Sequence, residues 1–123
     1  MNVFIYDRSV YFSGSFISFL QETVSDIEIS YFPTEEELQE SAKNEKPALI
    51  ILDMKYSGHL NFQLIRNLKK LYHPVVIVCM YIMTDELMKK QCIENGADYV
   101  LDKYMEYERI TDIIQVIKSN QAT

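Results

Sequence analysis

Short unbroken apolar runs alternate along this chain with longer segments whose apolar residues recur at helical spacing, and that alternation constrains the fold more than any other feature. Val3–Tyr6 is the first run and stops at Asp7. Residues 9–23 follow, with Phe12, Phe16, Phe19 and Leu20 on one helical face. Glu28–Phe32 alternates polar and apolar, as a strand with one covered face does. Pro33-Thr34-Glu35-Glu36-Glu37 then opens a helix: Thr34 caps it, Glu37 completes a capping box, and the acids suit the positive end of the dipole. That helix is expected to end before Pro47, since proline disfavours helical backbone in the residue ahead of it. Ala48–Leu52, closing at Asp53, reads as a strand covered on both faces. Leu60, Leu64, Leu68 and Leu71 with Ile65 mark a helix over 60–71, and Val75–Met80 is a third buried strand. Thr84 or Asp85 caps a helix running to about Asn95, with Gly96 as its terminator. Tyr99–Leu101 is a short strand, and a last helix from about Tyr107 presents Ile110, Ile113, Ile114 and Ile117. Five strands alternating with five helices predict an open parallel α/β sheet with helices on both faces.

Composition narrows the function classes. At 123 residues the chain can bury roughly two-thirds of its unfolded surface, which leads us to expect one domain over 1–123 with no output domain. An apolar fraction of 48% with three Gly and three Pro excludes disorder and collagen-like repeats. The net charge is −6 and no segment is dense in Lys or Arg, so no nucleic-acid partner is expected. The longest apolar run, Val75–Met83, has nine residues, about half of a membrane span, and no secretory signal is visible. Cys79 and Cys92 form no CxxC pair, and with two His they give no zinc pattern; a reducing cytoplasm is the expected location.

The residues able to carry chemistry fall at strand ends. In open parallel sheets, ligands bind beyond the carboxyl ends of the strands, where strand order reverses. Asp7 closes the first strand, Asp53 the third, and Asp102-Lys103 the fifth. If the first and third strands are neighbours, Asp7 and Asp53 meet, and Lys103 arrives from the far side. Two carboxylates supply oxygen ligands for a hard cation such as Mg²⁺, and an ammonium neutralises phosphoryl oxygens. The plainer reading of each Asp is a turn former.

Three segments resemble one family: Val3-Phe4-Ile5-Tyr6-Asp7-Arg8-Ser9, Ala48-Leu49-Ile50-Ile51-Leu52-Asp53-Met54, and Gly96-Ala97-Asp98-Tyr99-Val100-Leu101-Asp102-Lys103. Together they resemble the receiver domains of bacterial two-component response regulators over nearly the whole chain. The resemblance implies a single doubly wound, flavodoxin-like (βα)5 domain with strand order 2-1-3-4-5. It also implies Asp53 as phosphoacceptor, Lys103 beside it, and Asp7 with Asp53 as metal ligands. The implied partners are a sensor histidine kinase or phosphotransfer protein and a downstream protein target.

The chain departs from that pattern in four places. The usual second acid of the first strand is Arg8, which replaces a ligand by a cation. The Thr or Ser that ends the fourth strand has as its counterpart Cys79, Met80 or Tyr81. The switch aromatic is Val100. Finally, Tyr56-Ser57-Gly58 stands for Met-Pro-Gly, and Tyr104 for the proline after the lysine. Arg8 is expected either in solvent or paired with Asp53 where Mg²⁺ would sit; either way Mg²⁺ binding is expected to be weak or absent.

Ile82, Met83, Tyr104, Met105 and Tyr107 are expected to border the partner face of the fourth helix, fifth strand and fifth helix, the alternative being inward packing. His59 and His73 read as surface residues. The leading expectation is a stand-alone, phosphorylatable receiver, monomeric or weakly dimeric. It has no organic cofactor and no catalysis beyond self-phosphorylation and autodephosphorylation. A pseudo-receiver free of phosphorylation control is the alternative. A small flavodoxin-like enzyme is remoter, because Arg8-Ser9-Val10-Tyr11 is no phosphate-cradling loop.

Overall fold

Every second residue of the inner strands faces a different core, and this explains the unbroken apolar runs. A computed structural model describes residues 1–8, 10–54, 62–71, 74–82 and 85–121. Its elements, in chain order, are β1 (Asn2–Tyr6), α1 (Val10–Thr23), β2 (Glu28–Phe32), α2 (Glu35–Glu45), β3 (Leu49–Asp53), α3 (Phe62–Lys69), β4 (Val76–Tyr81), α4 (Glu86–Glu94), β5 (Tyr99–Asp102) and α5 (Arg109–Gln121). The strands form one parallel sheet in the order β2-β1-β3-β4-β5, the architecture the sequence predicts. Phe4, Tyr6, Ile50, Leu52, Ile77, Cys79 and Tyr81 point to one face, where Leu38, Leu64, Leu68 and Cys92 of α2, α3 and α4 cover them. Val3, Ile5, Leu49, Ile51, Val78 and Met80 point to the other, against Phe16 and Leu20 of α1 and Ile110 and Ile114 of α5. A strand buried on both faces cannot alternate polar and apolar residues.

The ends of the helices follow local chemistry. Thr34 caps α2, its side-chain oxygen accepting the Glu37 N–H at 3.2 Å, and α2 stops at Glu45 with Lys46 in the left-handed region ahead of Pro47. Asp85 caps α4 by accepting the Met88 N–H at 2.7 Å. Gly96, at φ +117°, lies where any Cβ would fall 2.8 Å from Lys69 Cγ; it lets the chain leave α4 close against α3. Asp98 then fastens this corner, taking Lys69 Nζ at 2.7 Å and the Ile77 N–H at 2.8 Å. Several boundaries differ from expectation by one or two residues: β1 starts at Asn2, β3 spans Leu49–Asp53, α3 ends at Lys69, β4 spans Val76–Tyr81, β5 runs on into Asp102, and α5 starts at Arg109 after a turn. Among the described residues no helix is long and apolar enough to cross a membrane.

Candidate functional site

Parallel pairing of β1 with β3 sets Tyr6 beside Leu52, so Asp7 and Asp53 follow at adjacent strand ends. Lys103 reaches them from β5, two strands away on the other side of β3. A turn built by Asp102 aims it: Asp102 Oδ1 accepts the N–H groups of Tyr104 and Met105, each at 2.9 Å, and the Lys103 N–H donates to the Tyr81 carbonyl. Lys103 Nζ then lies 3.0 Å from Asp7 Oδ2 and 3.3 Å from Asp53 Oδ1. The Phe12 ring of α1 closes the lysine from the side, its centroid 4.6 Å from Nζ, a cation–π contact. The Tyr31 hydroxyl donates to the Asp7 carbonyl at 2.6 Å and ties the end of β1 to β2. Between these groups lies a cavity of about 10 Å³, at the lower limit for one water.

Lys103 and Asp7 are buried, while Asp53 keeps 13% of its side chain exposed. Asp53 is therefore the acid of the trio that a reagent from solvent can reach. Burial, and next the charge of Asp7, push its carboxyl above the ordinary value of 3.8, while Lys103 pulls it back. Desolvating three charges is costly even when they are paired, so such a cluster reads more readily as a functional site than as a stabilising device.

Arg8 takes neither of its two expected courses in full. It is exposed, but its Nε donates to the Tyr6 hydroxyl at 3.1 Å, and among the described residues it forms no ion pair with Asp53. It still lies within the electrostatic reach of Asp53 and Glu35. The tether exists because Tyr6, the last residue of β1, is buried among apolar neighbours and its hydroxyl finds a partner in the guanidinium. Burial raises the Tyr6 hydroxyl against the lowering effect of Arg8.

The three residues weighed for the hydroxyl position separate by direction. Met80 pairs with Asp53 in register, and its carbonyl accepts the Met54 N–H at 3.0 Å; its side chain belongs to the α1/α5 core. Cys79 points to the opposite core. Tyr81 is fully buried, and its hydroxyl hydrogen-bonds the Cys92 thiol of α4, so it is spent away from Asp53. Burial, and next the Cys92 contact, push that hydroxyl far up. Val100 is half-buried against the α2–α4 core.

Of the residues assigned to the partner face, Tyr104 is exposed while packing edge-on against Phe12, and Tyr107 is half-buried against Phe16 and Phe19. The aromatic stripe of α1 offers these rings edge-to-face partners. Ile82 and Met105 are exposed, at 46% and 84%. Met83, His59, His73 and Tyr56-Ser57-Gly58 lie outside the described residues. The sequence reading missed Phe12, Tyr6, Tyr31 and Cys92 as neighbours of the site or its switch positions. Each looks like an ordinary core residue until the strands are paired.

The donor set does not fit a Mg²⁺ ion of the acidic-pocket kind. Both carboxylates already face one ammonium, and the position that would add a third oxygen donor carries a guanidinium. Among the described residues no group of three or more His, Cys, Asp or Glu could hold a metal.

Comparison with known proteins agrees with this geometry. Residues 3–115 match the family model described as the response regulator receiver domain. The chain is 28% identical over 118 residues to the sensory transduction protein LytT of Bacillus subtilis, covering 96% of this chain and 48% of that protein. It thus spans about half the length of this curated relative. In fold it is similar to a two-component response regulator from Clostridium difficile, with a TM-score of 0.85, 20% identity, and coverage of 100% of this chain and 99% of that one. It is also similar to a response regulator from Burkholderia pseudomallei, whose structure holds a phosphorylated aspartic acid, a calcium ion and citrate; there the TM-score is 0.79 at 22% identity, covering 98% of this chain and 71% of that one. A match over most of the chain, the strand order 2-1-3-4-5, and two aspartates and a lysine gathered at the strand ends lead to one conclusion: this chain belongs to the response regulator receiver domain family.

Proposed function

We propose that this receiver accepts a phosphoryl group on Asp53 and passes the signal on through protein–protein contacts. The observation that carries the reading is Asp53 itself, a partly open carboxylate with Lys103 Nζ at 3.3 Å. In this reading the phosphodonor is a sensor histidine kinase or a phosphotransfer protein in the cytoplasm, and the acceptor of the signal is a downstream protein. Chemistry is limited to self-phosphorylation and autodephosphorylation. Lys103 neutralises a phosphoryl oxygen, Asp7 holds Lys103 in place, and metal dependence is weak. The domain acts as a monomer or weak homodimer. The Burkholderia regulator with its phosphorylated aspartic acid gives a precedent on the same fold.

Acetyl phosphate tests the reading. Intact mass is expected to rise by one phosphoryl group in the native chain and to stay unchanged in Asp53→Asn. No gain in any buffer would favour the second reading, a pseudo-receiver that binds partners without phosphorylation. The Tyr81 hydroxyl, spent on Cys92, is the observation that favours it.

A further inference from the structure

The three strand-end groups and Arg8 balance in charge without a metal, with Glu35 of α2 outside that set but within electrostatic reach of Arg8. Asp7 and Asp53 contribute two negative charges, and Lys103 and Arg8 two positive ones. An acid at position 8 would leave the same cluster with two negative charges in excess. Arginine removes that excess, and the difference equals the charge of one divalent cation. Arg8 is also well placed to act. Its Nε is held by Tyr6, whose strand neighbour Leu52 directly precedes Asp53, and its guanidinium lies within electrostatic reach of Asp53. A planar guanidinium fork suits the paired oxygens of a phosphoryl group better than a point charge does.

We propose that Arg8 takes the place of the divalent cation, so that an oxyanion on Asp53 is clamped between the Arg8 guanidinium and the Lys103 ammonium. This rests on the reading of Asp53 as the phosphoacceptor. With acetyl phosphate, an Asp53 carboxylate oxygen forms a bond to phosphorus as the phosphorus–oxygen bond to acetate breaks. Acetate leaves with the electron pair, and no proton moves, since nucleophile and leaving group are both carboxylates. Charge builds on the transferring phosphoryl oxygens, where Arg8 and Lys103 meet it from two sides.

The test is the rate of mass gain from acetyl phosphate in EDTA and in Mg²⁺, with beryllofluoride binding followed by fluorine resonance as a second measurement. The native chain is expected to load in EDTA as fast as in Mg²⁺. Arg8→Ala is expected to load at least about tenfold more slowly in EDTA. Arg8→Asp is expected to load only when Mg²⁺ is present, and Arg8→Lys to fall between Ala and the native chain. Arg8 is exposed and makes one side-chain hydrogen bond among the described residues, so unchanged circular dichroism and melting midpoints will show that the variants fold. Loading of the native chain only with Mg²⁺ would overturn the inference and leave Asp53 as phosphoacceptor. So would Arg8→Ala matching the native rate in EDTA, or Arg8→Asp loading with Mg²⁺ while the native chain does not load at all. No loading of any variant in any buffer would remove the phosphoacceptor reading, and this inference with it.

Discussion

Tyr81 shows how much a single rotamer can decide. Three residues at the end of the fourth strand were open candidates for the phosphoryl-facing position, and only Tyr81 carries a hydroxyl. The structure turns that hydroxyl to Cys92, deep under α4. Tyr81→Phe is therefore expected to cost about 1 kcal/mol of stability, the usual net worth of a buried hydrogen bond. It is expected to leave loading of Asp53 unchanged, measured by denaturant midpoint and by mass gain respectively. A fall in loading with stability intact would mean that the hydroxyl visits Asp53 after all. Neither this contact nor the Arg8–Tyr6 tether was legible in the sequence. Each depends on which way a side chain leaves its backbone, and apolar pattern says nothing of that for a residue with a polar tip.

Whole elements were more legible, because their signals repeat. The caps at Thr34 and Asp85 lie where side-chain oxygens meet free N–H groups, and the Asp53 and Lys103 ends follow from the runs that precede them. The turn between β5 and α5 was harder to read: the chain there is folded by Asp102 and Glu106 rather than by glycine or proline. Glu106 Oε1 accepts the Asp102 N–H at 3.0 Å, and its other oxygen takes Arg109 at 2.9 Å. The Asp102 bond first, then Arg109, holds the Glu106 carboxyl below its ordinary value of 4.5. A lowered carboxyl contributes stability above its unfolded value and loses it as pH falls through the folded one. The margin of the native chain over Glu106→Gln is thus expected to be present at neutral pH, under about 1 kcal/mol because the site is partly open, and to vanish in acid. Parallel melts at neutral and acidic pH will read it; a margin that grows in acid would contradict the assignment.

At the scale of the molecule, strand order and the meeting of Asp7, Asp53 and Lys103 were legible together. A buried parallel sheet writes itself as unbroken apolar runs, and its site must lie past their carboxyl ends. The same frame bears on the proposed signalling. A ligand shifts a conformational equilibrium only through contacts that differ between the two states. With Tyr81 fastened to Cys92 and Val100 packed half-buried, the α4–β5 side is expected to have little to exchange on any loading of Asp53. Amide shifts over residues 81–107 are expected to move little on loading, and partner affinity to change by less than about tenfold, or roughly 1.4 kcal/mol. Large, concerted shifts there would restore a full switch. The lysine at the centre offers a different kind of readout. Lys103 is sealed by Phe12 and two carboxylates, whereas Lys43, Lys70 and Lys90 stand in solvent. An acylating reagent will therefore mark those three at once and Lys103 only when the domain opens, so the slow labelling of one amine becomes a clock for breathing of the whole sheet.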